Sequence, residues 1–233
     1  MHRSIISVVI PAYNEEKTIG TTISNTISVM ENLGMPYEII VVDDGSTDNT
    51  RKIATRYKAT VLSNGKNRGK GYALRKGFRY ATGDIIVTLD SDGAHRPKEI
   101  PDIIQPLFNG TDIVAGSRYL GNAMNTTSKL NRLGNLLFNI MIMILTGKFI
   151  TDSQTGFRAF KKEVLKKLHL KSYGYDIETE ITVKGLKNGF KYLEKPITCE
   201  KRKYNISKLR ILFDGFKILK TILKSAAESN NQF

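Results

Sequence analysis

The chain has 233 residues, 40% of them hydrophobic, and a formal net charge of +14 at pH 7. This length suffices for one large α/β domain with an appendage, and the charge indicates an anionic partner: a nucleic acid, an anionic membrane surface or a phosphorylated small molecule. Cys199 is the only cysteine, which excludes an internal disulfide framework and a cysteine-based zinc cluster and fits a reducing compartment.

Short apolar runs alternate with segments of helical periodicity over the first half of the chain. The predicted strands are Ser4 to Ile10, Tyr37 to Val42, Thr60 to Leu62, Asp84 to Leu89 and Thr111 to Ala115. Helical spacing follows from Thr18 to Leu33, from Ser46 to Tyr57, from Gly71 to Tyr80 and from Pro97 to Asn109. This alternation predicts a mostly parallel, doubly wound α/β sheet.

Polar and charged residues follow these predicted strands where each strand ends. Because the carboxyl ends of parallel strands meet at one edge of such a sheet, the residues are expected to gather on one rim, where open α/β sheets bind ligands. The rim residues are Asn14, Asp44, Lys70, Asp90, Asp92 and Arg118.

The stretch Asp90-Ser-Asp92 follows the fourth strand and places two carboxylates one residue apart. Carboxylate oxygens, together with substrate phosphates, are the ligands that a hard divalent cation prefers. An ordinary acidic turn explains the same residues, because Asp, Ser and Gly all favour turns. His95, just beyond, is either a further ligand or a structural residue.

Two other loops invite a nucleotide-binding interpretation. Asp43 and Asp44 end the second strand; one of them suits a hydrogen bond to a base or ribose, while the other braces the turn. The glycine-rich segment 64–71 is basic and precedes a helix, but it matches neither the P-loop spacing nor G-x-G-x-x-G. We expect its backbone and Lys70 to approach a phosphate, with a solvated turn as the alternative.

The pattern changes after about residue 120. Lys129 to Thr146 is a strongly apolar helix, Asp152 to Arg158 is a polar turn, Tyr173 to Asn188 contains a helix, and Tyr192 to Cys199 is a strand. Residues 200–224 carry eight basic residues against two acidic ones, with apolar residues at helical spacing. Such a basic amphipathic helix lies either at a membrane interface or on the protein core with a solvated basic face.

Neither a transmembrane helix nor a signal peptide is predicted. Leu136 to Leu145 is apolar except for Asn139, but this is far shorter than the roughly 20 residues that span a bilayer. The N-terminal apolar run reaches Pro11 without a small-residue cleavage site. We therefore expect a protein that associates with the membrane peripherally.

The ordered set of motifs resembles the family 2 glycosyltransferases. The motifs are Pro11-Ala-Tyr-Asn-Glu15, Val41-Val-Asp-Asp-Gly-Ser-Thr-Asp48, Asn67-Arg-Gly-Lys-Gly71, Asp90-Ser-Asp92, Gly116-Ser-Arg118, Asp152-Ser-Gln-Thr-Gly-Phe-Arg158 and Arg202-Lys-Tyr-Asn-Ile-Ser-Lys208. Within the family, the chain is most similar to the dolichyl-phosphate mannose and glucose synthases. Ala94 stands where the mannose synthases have a Gln, and the form Asp-x-Asp-Gly-Ala is similar to that of the glucose synthases.

The resemblance implies a GT-A fold, a nucleotide-sugar donor, Mg²⁺ or Mn²⁺, and a polyprenyl phosphate acceptor at the cytoplasmic face of the membrane. It also implies a nucleotide-sugar-binding core over 1–150, an acceptor-side part of the same catalytic domain over 151–207, and a basic amphipathic helix and tail over 208–233. Nucleotide-sugar binding would fall to Pro11, Tyr13, Glu15, Asp43, Asp44, Lys70, Asp90 and Asp92. The metal would be held by Asp90 and Asp92.

The remaining expected roles concern catalysis and the acceptor. The acceptor phosphate would be bound by Ser117, Arg118, Arg158, Arg202 and Lys208. The candidate catalytic residues are Asp92, Arg118, Arg158, Asp176 and Glu178. Asp176 and Glu178 are included because a hydroxyl acceptor, unlike a phosphate, would require a carboxylate base; both also suit the first turn of a helix.

Three alternatives stay open. The chain could act on a hydroxyl acceptor, or it could be a sugar nucleotidyltransferase that shares the nucleotide and metal but uses another acceptor. A basic nucleic-acid-binding protein is the remotest alternative, since the chain carries no zinc finger or RRM signature and the acidic strand ends would be unexplained. We therefore expect no nucleic-acid partner.

Overall fold

A computed structural model describes residues 4–121, 129–200 and 211–228. Within these residues, seven strands form one sheet in the order β3-β2-β1-β4-β6-β5-β7. The strands are β1 (Ile6–Ala12), β2 (Tyr37–Asp43), β3 (Thr60–Ser63), β4 (Ile85–Thr88), β5 (Ile113–Ser117), β6 (Arg158–Lys161) and β7 (Tyr192–Pro196). β6 runs antiparallel to β4 and β5, and the other pairs are parallel. The predicted mostly parallel α/β sheet is thus confirmed.

Helices cover both faces of this sheet. They are α1 (Ile19–Leu33), α2 (Thr50–Ala54), α3 (Lys70–Tyr80), α4 (Ile100–Phe108), α5 (Lys129–Thr146), α6 (Lys162–Leu168), α7 (Ile177–Lys187) and α8 (Ile211–Ala227). Val8 of β1 belongs to the core shared with α1 and α4, whereas its neighbour Val9 belongs to the core shared with α3, α6 and α7. Burial on both faces explains why these strands are continuous apolar runs.

Two local predictions were wrong. The second helix, which we expected to run from Ser46 as its N-cap to Tyr57, begins at Thr50 and ends at Ala54. The Ser46 hydroxyl instead accepts a hydrogen bond from the Asn14 backbone at 3.0 Å. The polar segment before Arg158 leads into β6, which the sequence analysis did not predict. β6 has only four residues, too few for a periodic signal, yet it inserts residues from the second half of the chain between β4 and β5.

A separate small core joins α5, α7 and α8, through Ile142, Val183, Ile218 and Ile222. Its members come from three helices, so α8 packs on the protein along one face. In the part of the chain that the structure describes, no helix combines the length and the apolar character required to cross a membrane.

One partly buried carboxylate links three strands at the end of the sheet opposite the rim. Glu38 of β2 accepts hydrogen bonds from the Ser7 hydroxyl of β1 at 2.6 Å, and from the Thr82 amide and hydroxyl before β4 at 2.6 and 2.8 Å. Burial alone would raise the pKa of Glu38, but these hydrogen bonds outweigh it and hold the pKa below 4.5.

Glu38→Gln should therefore make folding stability less sensitive to acid. A depressed carboxyl pKa contributes stability that is present above its unfolded value and is lost as the pH falls through the folded value. The melting temperature of the variant should lie below that of the wild type near neutral pH, and the difference should shrink as the pH falls through the depressed pKa of Glu38. Glu163→Gln, which alters an exposed glutamate, is the control. A constant difference between E38Q and wild type at every pH would contradict the assignment.

Candidate active site

The loops after β1 and β2 interlock at the rim of the sheet. The Asn14 side-chain oxygen accepts a hydrogen bond from the Thr47 amide at 2.8 Å, and the Glu15 amide donates to the Thr50 hydroxyl at 2.7 Å. Asn14 adopts a φ of 53°, a left-handed conformation that Asn tolerates better than most residues. The side chain of Tyr13, in the first of these loops, is half-buried.

Asp43 and Asp44 have different partners. An Asp43 oxygen accepts a hydrogen bond from the Ser46 amide at 3.1 Å and so braces the turn. Asp44 binds the loop after β3: it accepts from the Asn64 side chain at 2.7 Å and from the backbone amides of Arg68 and Gly69 at 3.0 and 2.8 Å. Burial raises the pKa of Asp44, an effect that these hydrogen bonds only partly offset. Asp44 thereby shapes the glycine-rich loop.

The glycines of that loop allow α3 to begin against another part of the chain. Gly69 has a φ of 98°, and a Cβ there would collide with the carbonyl oxygen of Tyr173. The Tyr72 amide donates to the same carbonyl at 3.1 Å. The loop before α7 therefore closes over the N-terminus of α3, which excludes a larger residue at position 69.

Lys70, the first residue of α3, lies between two carboxylates. Its Nζ is 2.6 Å from Asp90 Oδ1, after β4, and 2.7 Å from Glu178 Oε1, in the first turn of α7. Burial by itself lowers the pKa of Lys70, but the two negative charges more than offset it and hold the pKa above its ordinary value. Burial raises the pKa of Glu178. The three residues form a mostly buried charged cluster.

The Asp90-Ser-Asp92 turn is anchored to the neighbouring strand and loop. The Ser91 hydroxyl donates to the Pro11 carbonyl at 2.8 Å, and Asp92 Oδ1 accepts from the Ala94 amide at 3.0 Å. Asp92 also lines a polar cavity of about 700 Å³ between α1 and the loop after β4. A Cβ at position 156 would lie 2.6 to 2.8 Å from the carboxyl atoms of Asp90, so Gly156 leaves room for that side chain.

His95 is buried beneath this turn. The Asp90 amide donates to His95 Nδ1 at 3.4 Å, and burial lowers the pKa of His95 below its ordinary value. The backbone of His95 pairs with Cys199, whose thiol pKa is raised by burial to about 12. His95 is accordingly a neutral structural support of the turn, and Cys199 is not a thiolate nucleophile near neutral pH.

Within the described residues, no three His, Cys, Asp or Glu side chains are grouped closely enough to enclose a metal ion. Asp90 and Asp92 together supply only carboxylate oxygens. Mg²⁺ typically binds through one or two carboxylates and completes its shell with water and substrate phosphates. The residues present therefore fit a cation shared with a bound diphosphate, and they do not fit a cage made wholly of protein.

Arg118, after β5, forms a paired contact with Asp152. Nε and Nη2 donate to the two Asp152 oxygens at 2.7 and 2.8 Å, and the Arg118 amide donates to Oδ2 at 3.1 Å. Burial lowers the pKa of Arg118, but the Asp152 charge more than offsets this and keeps the guanidinium fully protonated. The Ser117 hydroxyl contacts Thr151 at 2.6 Å, so both residues face the 151–153 loop.

The 151–153 loop is held from two sides. Glu194 of β7 accepts from the Thr151 and Asp152 amides at 2.7 and 2.8 Å. On the other side, Asn135 and Asn139 of α5 donate to the Thr151 carbonyl at 3.2 and 2.7 Å. The position of the Arg118–Asp152 pair therefore depends on α5 and β7.

Comparison with known proteins matches residues 7–169 to the family described as "Glycosyl transferase family 2". The chain belongs to this family. It is 33% identical, over 233 aligned positions, to a dolichol-phosphate mannosyltransferase of Pyrococcus furiosus, covering 96% of this chain and 65% of that protein. It is also 33% identical, over 247 positions, to a UDP-N-acetylglucosamine--dolichyl-phosphate N-acetylglucosaminyltransferase of Methanococcus voltae, covering 96% of each chain. The predicted resemblance is thus confirmed.

The fold of this glycosyltransferase is shared with a solved structure. Glucosyl-3-phosphoglycerate synthase of Mycobacterium tuberculosis, crystallised with Mn²⁺, UDP and phosphoglyceric acid, superimposes with a TM-score of 0.77 at 26% identity, covering 99% of this chain and 81% of that one. The predicted GT-A fold is confirmed by this similarity and by the seven-stranded sheet of the described residues.

Several expected site residues of the glycosyltransferase lie together at the rim. Pro11 lies near the end of β1, Tyr13, Glu15 and Asp44 come from the interlocked loops, and Lys70, Asp90 and Glu178 form the charged cluster. Arg118 and Ser117 lie beside the 151–153 loop. Arg202 and Lys208 lie outside the described residues.

The structure places Arg158 and Asp176 differently from expectation. Arg158 is 1% exposed, and its guanidinium donates to the carbonyls of Thr155 and Ser153 and to the Thr182 hydroxyl at 2.8 to 2.9 Å. It therefore supports the 151–158 segment from inside the protein. Asp176 Oδ2 accepts from Thr221 of α8 at 3.0 Å, so this carboxylate links α7 to α8.

Four residues that shape the site were not among the predicted site residues: Asn64, Asp152, Gly156 and Glu194. Asp152 and Gly156 belong to a quoted motif, but their partners Arg118 and Asp90 are distant in sequence. Glu194 lies in the middle of β7 and showed no pattern. Its charge inside a short strand was the available signal, because a partly buried carboxylate requires hydrogen-bond donors.

Proposed function

We propose that this glycosyltransferase moves a hexose from a nucleotide sugar, of the GDP-mannose or UDP-glucose type, to a polyprenyl phosphate at the cytoplasmic face of the membrane. The names of the two relatives support a lipid phosphate acceptor. The observation that carries the proposal is the position of α5: Asn135 and Asn139 hold the loop that pairs with Arg118, while the opposite face of the same helix is apolar and exposed.

The donor would lie over the carboxyl ends of β1, β2 and β4. In this proposal its nucleotide contacts the interlocked loops and its diphosphate approaches the Asp90-Ser-Asp92 turn. The donor-binding residues are Pro11, Tyr13, Glu15, Asp43, Asp44, Lys70, Asp90 and Asp92. Mg²⁺ or Mn²⁺, held by Asp90 and Asp92 when bound, would supply positive charge that stabilises the leaving diphosphate.

The transfer requires little proton chemistry. The second pKa of a phosphate monoester is about 6, so the acceptor is already largely anionic near neutral pH. One of its oxygens forms a bond to the anomeric carbon as the bond from that carbon to the diphosphate oxygen breaks, with inversion. The diphosphate leaves with the bonding electrons. The protein's task is to position both phosphates and to balance their charge.

The acceptor phosphate would bind on the side of the site formed by β5 and the 151–153 loop. Ser117 and Arg118 lie there, and Arg118 is pre-oriented by Asp152. Arg202 and Lys208 remain proposed acceptor ligands on the strength of the sequence motif. An arginine whose planar fork is already fixed loses little entropy on binding a phosphate.

The exposed face of α5 and α8 supports peripheral contact with an anionic membrane. Ile144 is 73% exposed and Phe216 is 69% exposed, while α5 contains no Asp or Glu. Exposed apolar residues of both helices are Leu130, Leu133, Leu136, Leu137, Ile140, Met143, Ile144, Leu145, Phe213, Phe216 and Leu223. Exposed lysines of α8 lie beside them. Apolar surface flanked by positive charge is typical of helices at a lipid interface.

Lys217, Lys220 and Lys224 provide a test of that contact. Changing all three to Gln should weaken sedimentation with vesicles containing anionic lipid, because each basic residue near such a surface contributes about 1 kcal/mol. The triple variant Lys58→Gln, Lys166→Gln, Lys167→Gln removes the same charge from other exposed positions and should sediment like the wild type. Equal sedimentation of the two triple variants would contradict the proposed surface.

The proposed reaction is tested by offering GDP-mannose, UDP-glucose and UDP-N-acetylglucosamine separately with one polyprenyl phosphate, in Mn²⁺ or Mg²⁺. Labelled sugar should appear in the lipid fraction with one donor. Pyrophosphate release from a sugar phosphate plus a nucleoside triphosphate, without any transfer to lipid, would instead identify a sugar nucleotidyltransferase. Salt-sensitive nucleic-acid binding without sugar transfer would overturn the proposal.

A hydroxyl acceptor is the second candidate, favoured by the fold shared with glucosyl-3-phosphoglycerate synthase. That chemistry needs a carboxylate base within hydrogen-bond reach of the acceptor. Asp176 is bonded to Thr221 and Glu178 is paired with Lys70, so neither is aimed at an open acceptor position. Transfer to 3-phosphoglycerate but not to polyprenyl phosphate would favour this candidate.

A further inference from the structure

Lys70 and Glu178 come from separate parts of the chain and meet at Asp90. Lys70 Nζ contacts both carboxylates at 2.6 and 2.7 Å, and the side chains of Lys70 and Glu178 are 15% and 4% exposed. This ammonium group already neutralises the carboxylate that is proposed to ligate a divalent cation. A bound cation and the Lys70 ammonium group would therefore compete for the negative charge of Asp90.

We infer that Lys70 is the resident counter-cation of Asp90, that Glu178 offsets part of the Lys70 charge, and that this pair sets the affinity of the Asp90-Ser-Asp92 turn for a divalent cation. The inference rests on the proposed function, because it assumes the metal-assisted donor site. In it Glu178 is a positioning residue that acts through Lys70, and not a base.

The charges of Lys70 and Glu178 should affect cation binding at Asp90 unequally. Lys70 touches Asp90 directly, whereas Glu178 acts through its contact with Lys70. Removing the lysine charge should therefore strengthen cation binding at Asp90 more than removing the glutamate charge weakens it, because Coulomb energy falls with distance. In the double variant Lys70→Met, Glu178→Gln, the net charge of the protein stays the same as in the wild type.

A diphosphate would offer Lys70 a second anionic partner. Binding of UDP or GDP should then draw the ammonium charge away from Asp90 and tighten cation binding, so that nucleotide and metal bind cooperatively. By linkage, the metal must tighten nucleotide binding by the same factor. This cooperativity should shrink when Lys70 is absent.

The test measures Mn²⁺ binding by electron paramagnetic resonance of the free ion, in the absence of nucleotide and with UDP or GDP. Without nucleotide, K70M/E178Q should bind Mn²⁺ about tenfold more tightly than the wild type, and E178Q alone should bind it more weakly. Lys66→Met, which removes an exposed lysine of the same loop, controls for the loss of a lysine charge near the site and should leave the affinity unchanged.

Thermal melts separate this role from a merely structural one. Because the double variant removes both members of the buried pair, it leaves no unpaired charge between the two positions and should fold. A changed melting temperature with the same Mn²⁺ affinity in the wild type and K70M/E178Q would overturn the inference. So would equal nucleotide enhancement of Mn²⁺ binding in both proteins. If the wild type shows the expected Mn²⁺ pattern but transfers no sugar to polyprenyl phosphate, the proposed function fails and the role of Lys70 stands.

Discussion

Replacing Asp92 with Asn is expected to lower kcat/KM for sugar transfer by about a thousandfold. In the folded protein Asp92 Oδ1 accepts a hydrogen bond from the Ala94 amide at 3.0 Å, and an Asn oxygen can keep that bond. The substitution therefore removes the charge while preserving the shape of the turn. Loss of the charge weakens the site for the cation proposed to stabilise the leaving diphosphate. Initial rates at several Mn²⁺ concentrations would measure the effect.

The control for Asp92→Asn is Asp102→Asn, which makes the same chemical change at an exposed position of α4. It should transfer sugar like the wild type. Both variants should melt within a few degrees of the wild type, since neither substitution opens a cavity. Wild-type turnover by a folded Asp92→Asn protein would contradict the metal assignment and leave the 90–92 turn with only a structural role.

The strands that hold the donor side of the site were predictable because each is buried on both faces. Val8 and Val9 enter opposite cores, which requires an uninterrupted apolar run and makes the strand visible in sequence. Polar residues follow where each apolar run ends, and in this way Asp44 and Asp90 indicated the position of the rim. This pattern did not reveal β6, because its apolar run is only two residues long, Ala159 and Phe160.

The roles of charged residues at the site were less predictable, because they depend on partners that are distant along the chain. Lys70 and Glu178 are separated by more than a hundred positions but share an ion pair. Arg158 belongs to a motif of the family, yet it is surrounded by protein oxygens. A positive charge in a motif predicts an anionic or polar partner, and only the fold shows whether that partner is a ligand or the protein itself.

Asp152→Asn is expected to reduce both stability and transfer. The carboxylate of Asp152 is fully buried and accepts two side-chain hydrogen bonds from Arg118, at 2.7 and 2.8 Å. An amide cannot neutralise the guanidinium, and its NH₂ group would face an N–H donor. Breaking a buried ion pair on one side typically costs about 3 to 5 kcal/mol. The melting temperature should therefore fall by about 10 °C, which differential scanning calorimetry would measure.

The matched control changes the other side of the same pair. In Arg118→Lys the positive charge remains, but the two-pronged contact with Asp152 is lost. This variant should lose less stability than Asp152→Asn, while its KM for polyprenyl phosphate should rise, because the remaining N–H donors of the guanidinium, which would bind the phosphate, are absent. If Arg118→Lys were as unstable as Asp152→Asn but kept the wild-type KM, the pair would serve folding alone. Arg118 would then have no part in acceptor binding.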